Sequence, residues 1–485
     1  MKYRVMKPFT LFLFLVLTSA IHAQQSDPAS SIKKEDLLKT VKFLASKELG
    51  GRLPGDIGYT KAANFMSGEL KKLKLKKMNG KDYFQKLKVE YNKILPPEHL
   101  TVIQNGRKIN YKLGDDYAYR GFTGAGKINS PVVFCGYGLS QPELNYDDYA
   151  GIDVKGKVAM VFKYNPKWNV DGKNFTNGNP REKAIVAAEH GAVGILFVSF
   201  PNDAEPQRPI GSVIAGAGEQ MINFPEVHID LPVADKLFEG SGTTLKEMQT
   251  KIDNTKNPSS LLLPNNVEVE VHAKYEKEKE VMNVVGILEG SDPVLKNEYL
   301  VIGAHLDHVG SQAGKIYFPG ANDNASGSGA LLQIARCFAS MKEKPKRSIA
   351  FVFFASEEQG LYGAKFFSEN LPAPKEKIKA MINMDCIGYG DSIQVGGGKS
   401  FENLWKTAKK LDSENDKLMV ASTGGGGGAD ADPFFQKGIP TLYFVTTNSY
   451  KHLHMISDKV ETLNGKLFEA ITKLAFRTAH AIAND

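Results

Sequence analysis

Apolar residues recur at helical spacing near the start of the chain, and later in short strand-like runs. Over residues 32–49, Leu37, Leu38, Val41, Leu44 and Ala45 share one face of a predicted helix. Gly50-Gly51-Arg52-Leu53-Pro54-Gly55 ends it, and a second helix fits 59–73. From about 96 to 262 the pattern changes. Short runs such as 131–134, Val158–Phe162 and Gly194–Val198 are separated by Gly, Pro and Asn, with one helix, 181–190, among them. Strands this frequent predict a compact β-rich module of its own. From about 263, strands are expected at 281–288, Tyr299–His305, 347–355, 379–384 and 441–445. Helices are expected at 326–341, 359–370, 401–411 and 465–482. Alternating strands and helices predict an α/β fold, a mainly parallel sheet covered on both faces. The expected division is a sheet domain made of 32–95 and 263–485, with the β-rich module 96–262 inserted.

A chain of 485 residues exceeds one ordinary core. Its 42% apolar and 24% charged residues are those of a globular protein. The first segment reads differently. Lys2, Arg4 and Lys7 precede an apolar run, 9–21, too short to cross a bilayer, and Ala23 is followed by polar residues. This predicts a cleaved leader, 1–23, and an exported protein, periplasmic or extracellular, with no transmembrane span after cleavage; an uncleaved anchor is the alternative. Without those three cations the net charge falls from +7 to about +4, with no basic block at either end. Nucleic acid is therefore not an expected partner. Cys135, Cys337 and Cys386 lie far apart, so no disulfide framework is expected.

The chemistry sits where apolar runs stop. One ends at His305, Asp307 and His308; another at Glu357 and Glu358; a third at Asp385. A Gly/Asn/Ser loop carries Asp323, and Lys-His-Leu-His carries His454. In an open α/β sheet, ligands bind beyond the carboxyl ends of the strands, so these residues can converge. Imidazole and carboxylate without thiolate suit a catalytic zinc rather than a structural one. Taken singly each has a plainer reading: His305 as a core histidine, Asp323 as a helix N-cap, Asp385 as a strand cap. In extended backbone Asp307 shares a side with His305 and can support its imidazole. His308 falls on the other side if the strand continues, as a wall residue or a functional one. Adjacent carboxylates after an apolar run are costly to bury unless a cation neutralises them. One of the Glu357–Glu358 pair can bind metal while the other acts as general base.

His-Leu-Asp-His, Gly-Ala-Asn-Asp-Asn-Ala-Ser-Gly, Ser-Glu-Glu-Gln-Gly-Leu-Tyr-Gly-Ala, Asn-Met-Asp and the closing His-x-x-x-Asp-x-x-Glu at His454, Asp458 and Glu461 together resemble the two-zinc aminopeptidases and glutamate carboxypeptidases of metallopeptidase clan MH. The middle region is similar to a protease-associated (PA) domain, through Val-Val-Phe-Cys-Gly-Tyr-Gly-Leu, Tyr-Asp-Asp-Tyr-Ala-Gly-Ile-Asp-Val-Lys-Gly-Lys-Val and Glu-His-Gly-Ala-Val-Gly-Ile-Leu. The resemblance implies a three-layer α/β/α sandwich of the zinc exopeptidase type with an inserted PA domain. It implies two Zn²⁺ per chain, one on His305 and Asp385, the other on Glu358 and His454, bridged by Asp323. Glu357 is then the general base for zinc-hydroxide attack on a peptide carbonyl, and the peptide bond after Asp323 is cis. Peptides are the implied substrates and release of N-terminal residues the implied activity. A glutamate-type carboxypeptidase or dipeptidase, a glutaminyl cyclase, and a non-catalytic receptor of the same fold are the alternatives. Two departures touch the substrate side. Many relatives have Ser-Asp-His before a Pro/Phe pair, where this chain has Ala429-Asp430-Ala431-Asp432-Pro433-Phe434 after five glycines; and Leu453 stands where many have an aromatic residue. Asp430 and Asp432 are expected to add negative charge at the site and so to favour a substrate ammonium, whereas Lys451 opposes it.

Overall fold

A computed structural model describes residues 27–485 except 177 and 214–217; the predicted leader, 1–23, lies outside the described residues. The strands expected in the second half are present, four of them parallel. Along the sheet the order is Ile393–Gly396, Thr441–Thr446, Ile378–Met384, Tyr299–His305, Ser348–Phe354 and then the end of Ser260–Leu288; the first and last of these run antiparallel to their neighbours. The mixed sheet is apolar on both faces. One face is covered by Lys34–Leu44, Ile57–Lys72, Gly327–Ser340 and Gly465–Asn484. The other packs on Tyr362–Glu369 and Asp432–Gln436. The helix expected at 359–370 begins later, because Gln359–Leu361 turn instead, with Leu361 at φ 65°.

The β-rich region has its own core and a parallel set, Gly126–Cys135, Val158–Phe162, Gly194–Val198 and Glu226–Ile229. It also holds two unexpected helices, Leu231–Phe238 and Leu245–Thr255. Its strands belong to the same hydrogen-bonded sheet. The strand Ser260–Leu288, 29 residues long, pairs first with Gly126–Cys135 and finally with Ser348–Phe354. Phe84–Gln104, 21 residues long, pairs with it from Asn266 to Val284. All three cysteines are buried and free.

Candidate metal centre

Three neighbouring parallel strands deliver the candidate ligands from their carboxyl ends. Tyr299–His305 ends on His305, Ile378–Met384 on Asp385, and Ser348–Phe354 leads through Ser356, at φ 57°, to Glu357 and Glu358. Asp323 comes from the irregular turn Ala321–Ser326, where the Asp323–Asn324 peptide is cis. The cap of the following helix is Ser326, not Asp323. His454 follows the short turn Ser449–His452.

Asp323 stands between two histidines, Oδ1 3.3 Å from His305 Nε2 and Oδ2 3.1 Å from His454 Nε2. Asp385 Oδ1 is 3.4 Å from His305 Nε2, and Glu358 Oε2 is 2.8 Å from His454 Nε2. The side chains form two groups sharing Asp323: His305, Asp323, Asp385; and His308, Asp323, Glu358, His454. Zinc bonds of about 2.0–2.1 Å would place tetrahedral ligand atoms roughly 3.3 Å apart, close to most of these spacings. His305 Nε2 and Asp385 Oδ1 are buried without a hydrogen-bond partner of good geometry, which is costly unless a cation completes them. The donor set and these orphaned atoms fit divalent metal.

The two adjacent glutamates are set apart electrically. For Glu358, burial and Asp323 push the carboxyl up, but His454 and His308 win and hold it down to about 2. For Glu357, burial dominates, Glu358, Asp430 and Asp385 add to it, and the carboxyl is pushed well above its ordinary value. Glu357 Oε2 sits 3.9 Å from His305 Nε2, outside both ligand groups. Burial pulls the His305 imidazole down, yet Asp385, Glu357 and Asp323 raise it well above its usual value.

Asp307 does something other than expected. Its Oδ1 is 3.7 Å from His305 Nδ1, too far for a hydrogen bond, and that nitrogen faces the backbone oxygen of Asp307 at 3.3 Å. The carboxylate instead accepts the backbone N–H of Glu357 at 3.2 Å and of Glu358 at 3.4 Å. Asp458 plays a similar part opposite, accepting from Asn322 N at 2.8 Å and Asp323 N at 3.0 Å. Arg52 has no functional reading from sequence, and His308 is open there between a wall and a functional role. Fully buried Arg52 donates to the carbonyls of Leu44, Leu306, Pro319 and Gly320, tying together the loops beneath the ligands. His308 Nδ1 lies 2.8 Å from Glu358 Oε1. Its ring has room because residue 320 is glycine: a Cβ there would fall 2.5 Å from it.

The glycine loop also departs from expectation. Asp430 is fully buried, and burial with the nearby Asp307, Asp385 and Glu358 pushes its carboxyl well up, toward the neutral form. Asp432 Oδ2 accepts from Gln436. Asp430 therefore adds no exposed negative charge over the site. Gly424–Gly428 instead line one side of a cavity of about 560 Å³, with Tyr443, Val445, Thr446 and Tyr450 on the other. It adjoins the centre, since Tyr443 pairs with Asn383, two residues before Asp385.

Residues 283–479 match the family model described as Peptidase family M28, and 128–237 match the PA domain. The second half of the chain is thus similar to M28 peptidases. An aminopeptidase of Pseudomonas aeruginosa is 26% identical over 302 residues, 60% of this chain and 47% of that protein. A glutamate carboxypeptidase 2 homolog of Caenorhabditis elegans is 22% identical over 410 residues, 67% of this chain and 49% of that one. The match thus spans about half the length of these curated relatives. A solved M28 peptidase precursor from Shewanella amazonensis superposes with a TM-score of 0.66 at 20% identity, covering 95% of each chain. The M28 match holds all five expected ligands and Glu357, and the PA match falls within the β-rich region, 96–262.

Proposed function

We propose that the chain is an exported zinc aminopeptidase that releases N-terminal residues from peptides and binds two zinc ions. The observation that carries this reading is Asp323, one carboxylate between two histidines, with Glu357 beside the cluster rather than in it. His305 and Asp385 would hold one ion and Glu358 and His454 the other, with Asp323 shared between the two groups. Bound there, zinc supplies Lewis-acid polarisation of the peptide carbonyl and neutralises the charge that builds on its oxygen. Glu357, raised by burial beside Glu358, takes the proton of the attacking water on its carboxylate and delivers it to the leaving amine nitrogen. Asp307 keeps the two glutamates in their separate directions through their backbone N–H groups.

The preference for a free amine rests on the carboxylate-rich cluster, which attracts an ammonium and holds the first peptide bond near the reacting groups. Arg52 is not available to hold a substrate carboxylate, because it is fully buried and its donors are spent on backbone carbonyls. The relative from Pseudomonas, named an aminopeptidase, agrees. The cavity beside Asp385 takes the side chain of the released residue. The zinc-loaded enzyme should cleave a peptide amidated at its C-terminus and spare the same peptide acetylated at its N-terminus. The reverse outcome makes it a carboxypeptidase. Export rests on the leader pattern; N-terminal sequencing of secreted protein should begin near Gln24, and retention of Met1 refutes cleavage.

A further inference from the structure

Among the proposed ligands, His454 is held least by regular structure. It lies between the turn Ser449–His452 and the bend leading to Asp458, in left-handed backbone at φ 56°. Its side chain is 21% exposed, against 1% for His305. An L-residue seldom adopts that φ unless its surroundings enforce it. Part of the enforcement comes from the β-rich region. The carbonyl of His454 accepts the N–H of Gly211 at 2.8 Å. Only glycine allows the approach: a Cβ at 211 would lie 2.7 Å from Val309 and 2.9 Å from the Phe318 ring.

The segment ending in Gly211 is itself seated on a small buried network. The N–H of Ile210 donates to His228 Nδ1 at 3.3 Å. His228 Nε2 lies 3.2 Å from Ser199 Oγ, and Ser199 Oγ donates to the carbonyl of Gln207 at 2.6 Å. These bonds fix the tautomer: Nδ1 accepts, Nε2–H donates to the serine oxygen, and the serine hydroxyl donates to the Gln207 carbonyl. Burial, with Lys163 and Arg120 nearby, pulls this imidazole well below its ordinary value, so it stays neutral as the pattern requires. Beyond Gly211, Ser212 Oγ accepts from Gly121 N at 2.9 Å, and Val213 packs against Leu53, Tyr91, Val309 and Phe318.

We infer that the inserted region acts as a brace for the second metal group: Ser199 and His228 seat Gln207–Gly211, and Gly211 holds the backbone of His454 so that its imidazole faces Glu358 and Asp323. The inference rests on the two-zinc reading. Ser199, His228 and Gly211 are positioning residues; none touches substrate or metal. Outer partners of this kind typically set metal affinity by 10- to 100-fold.

The test is zinc binding to the full chain, measured by competition with a chromophoric chelator, which resolves the two affinities without using activity. His228→Phe keeps a ring and removes the acceptor; Ser199→Ala removes one hydroxyl and carries the test if the first variant does not fold. Both should weaken one zinc roughly 10- to 100-fold and leave the other within about twofold. His228→Asn, whose Oδ1 can replace Nδ1 as acceptor, should recover most of the loss. Two unchanged affinities in Ser199→Ala and His228→Phe overturn the brace alone, as does an equal loss at both ions together with a lowered melting temperature of the metal-free protein. A wild-type chain that takes up no second zinc overturns the two-zinc reading, and the brace with it.

Discussion

His305 and Asp385, on one side of Asp323, are the last residues of adjacent buried strands or follow them directly, so the hydrogen-bond ladder of the sheet sets their positions. Ser328 adds a hydrogen bond to the carbonyl of His305 at 2.7 Å. On the other side, Glu358 lies four residues past its strand and His454 follows a short turn. Their geometry is borrowed: Glu358 from Asp307 and His308, His454 from Gly211. The same type of ligand can thus be made rigid by a sheet, or by individual hydrogen bonds from elsewhere in the chain. The second arrangement leaves more residues able to tune the metal.

The harshest test of this contrast removes the residue that belongs to neither side. Glu357→Gln should keep both metals and lose about 10²–10⁴-fold in turnover, the scale of general-base catalysis; loss of metal instead would make Glu357 a ligand. Chelating the proposed metals comes next. Burial raises Asp307 to about 6 and Asp458 to about 7 in the metal-free protein. An acid raised on folding stabilises below its unfolded value, near 3.8, and that contribution disappears as pH climbs through the folded value. At about 1.4 kcal/mol per unit, Asp307 alone amounts to about 3 kcal/mol. Glu358, held down to about 2, acts in the opposite sense but only below about pH 4.5, so it is constant across this window. The chelated protein should therefore melt at progressively lower temperature from pH 4.5 to 7, and the gain from adding zinc should widen. Asp148, raised to about 7 far from the metals, has the same sign and cancels in the comparison with loaded protein. A zinc increment that is flat with pH would contradict the account.

A smaller effect separates the two sides directly. Asp307→Asn should weaken the metal held by Glu358 about 10- to 100-fold and disturb the His305 side less, because its hydrogen bonds go to the glutamate backbone; isotope-edited or competition titration would show the split. The smallest is Ser328→Ala. One hydrogen bond among many in a sheet-held ligand should cost about 1 kcal/mol in thermal stability and leave metal affinity nearly unchanged.

The sheet-held side was fully legible, and of the other side only Glu358 was, because it follows an apolar strand. A ligand at the end of an apolar run is placed by the strand that precedes it, which is why His305, the glutamate pair and Asp385 could be read from periodicity. Asp323 and His454 sit on irregular backbone, where residue spacing says little about direction, and their ligand roles came from the family resemblance. His308 was placed on the assumption that the strand runs on; it stops at His305, the chain turns, and the ring reaches Glu358. Arg52 gave no signal because its partners are backbone carbonyls, three of them more than 250 residues away. The long strands Phe84–Gln104 and Ser260–Leu288 were missed because runs such as Lys274-Tyr-Glu-Lys-Glu-Lys-Glu280 lack an apolar face, and Pro96, Pro97 and Pro264 look like breaks.

Those two strands have a mechanical consequence. A hinge between units normally uses a few unpaired residues, but here the crossing is made by paired ladders that continue from one core into the other. Cutting the chain at 128 and 237, the limits of the PA match, would strip Gly126–Cys135 from the first half of Ser260–Leu288 and leave that half bare on one edge, paired only with Phe84–Gln104. The inserted region is therefore spliced into the enzyme like a beam, not attached like a cap, and the two cores should lose their structure on heating as a single cooperative body.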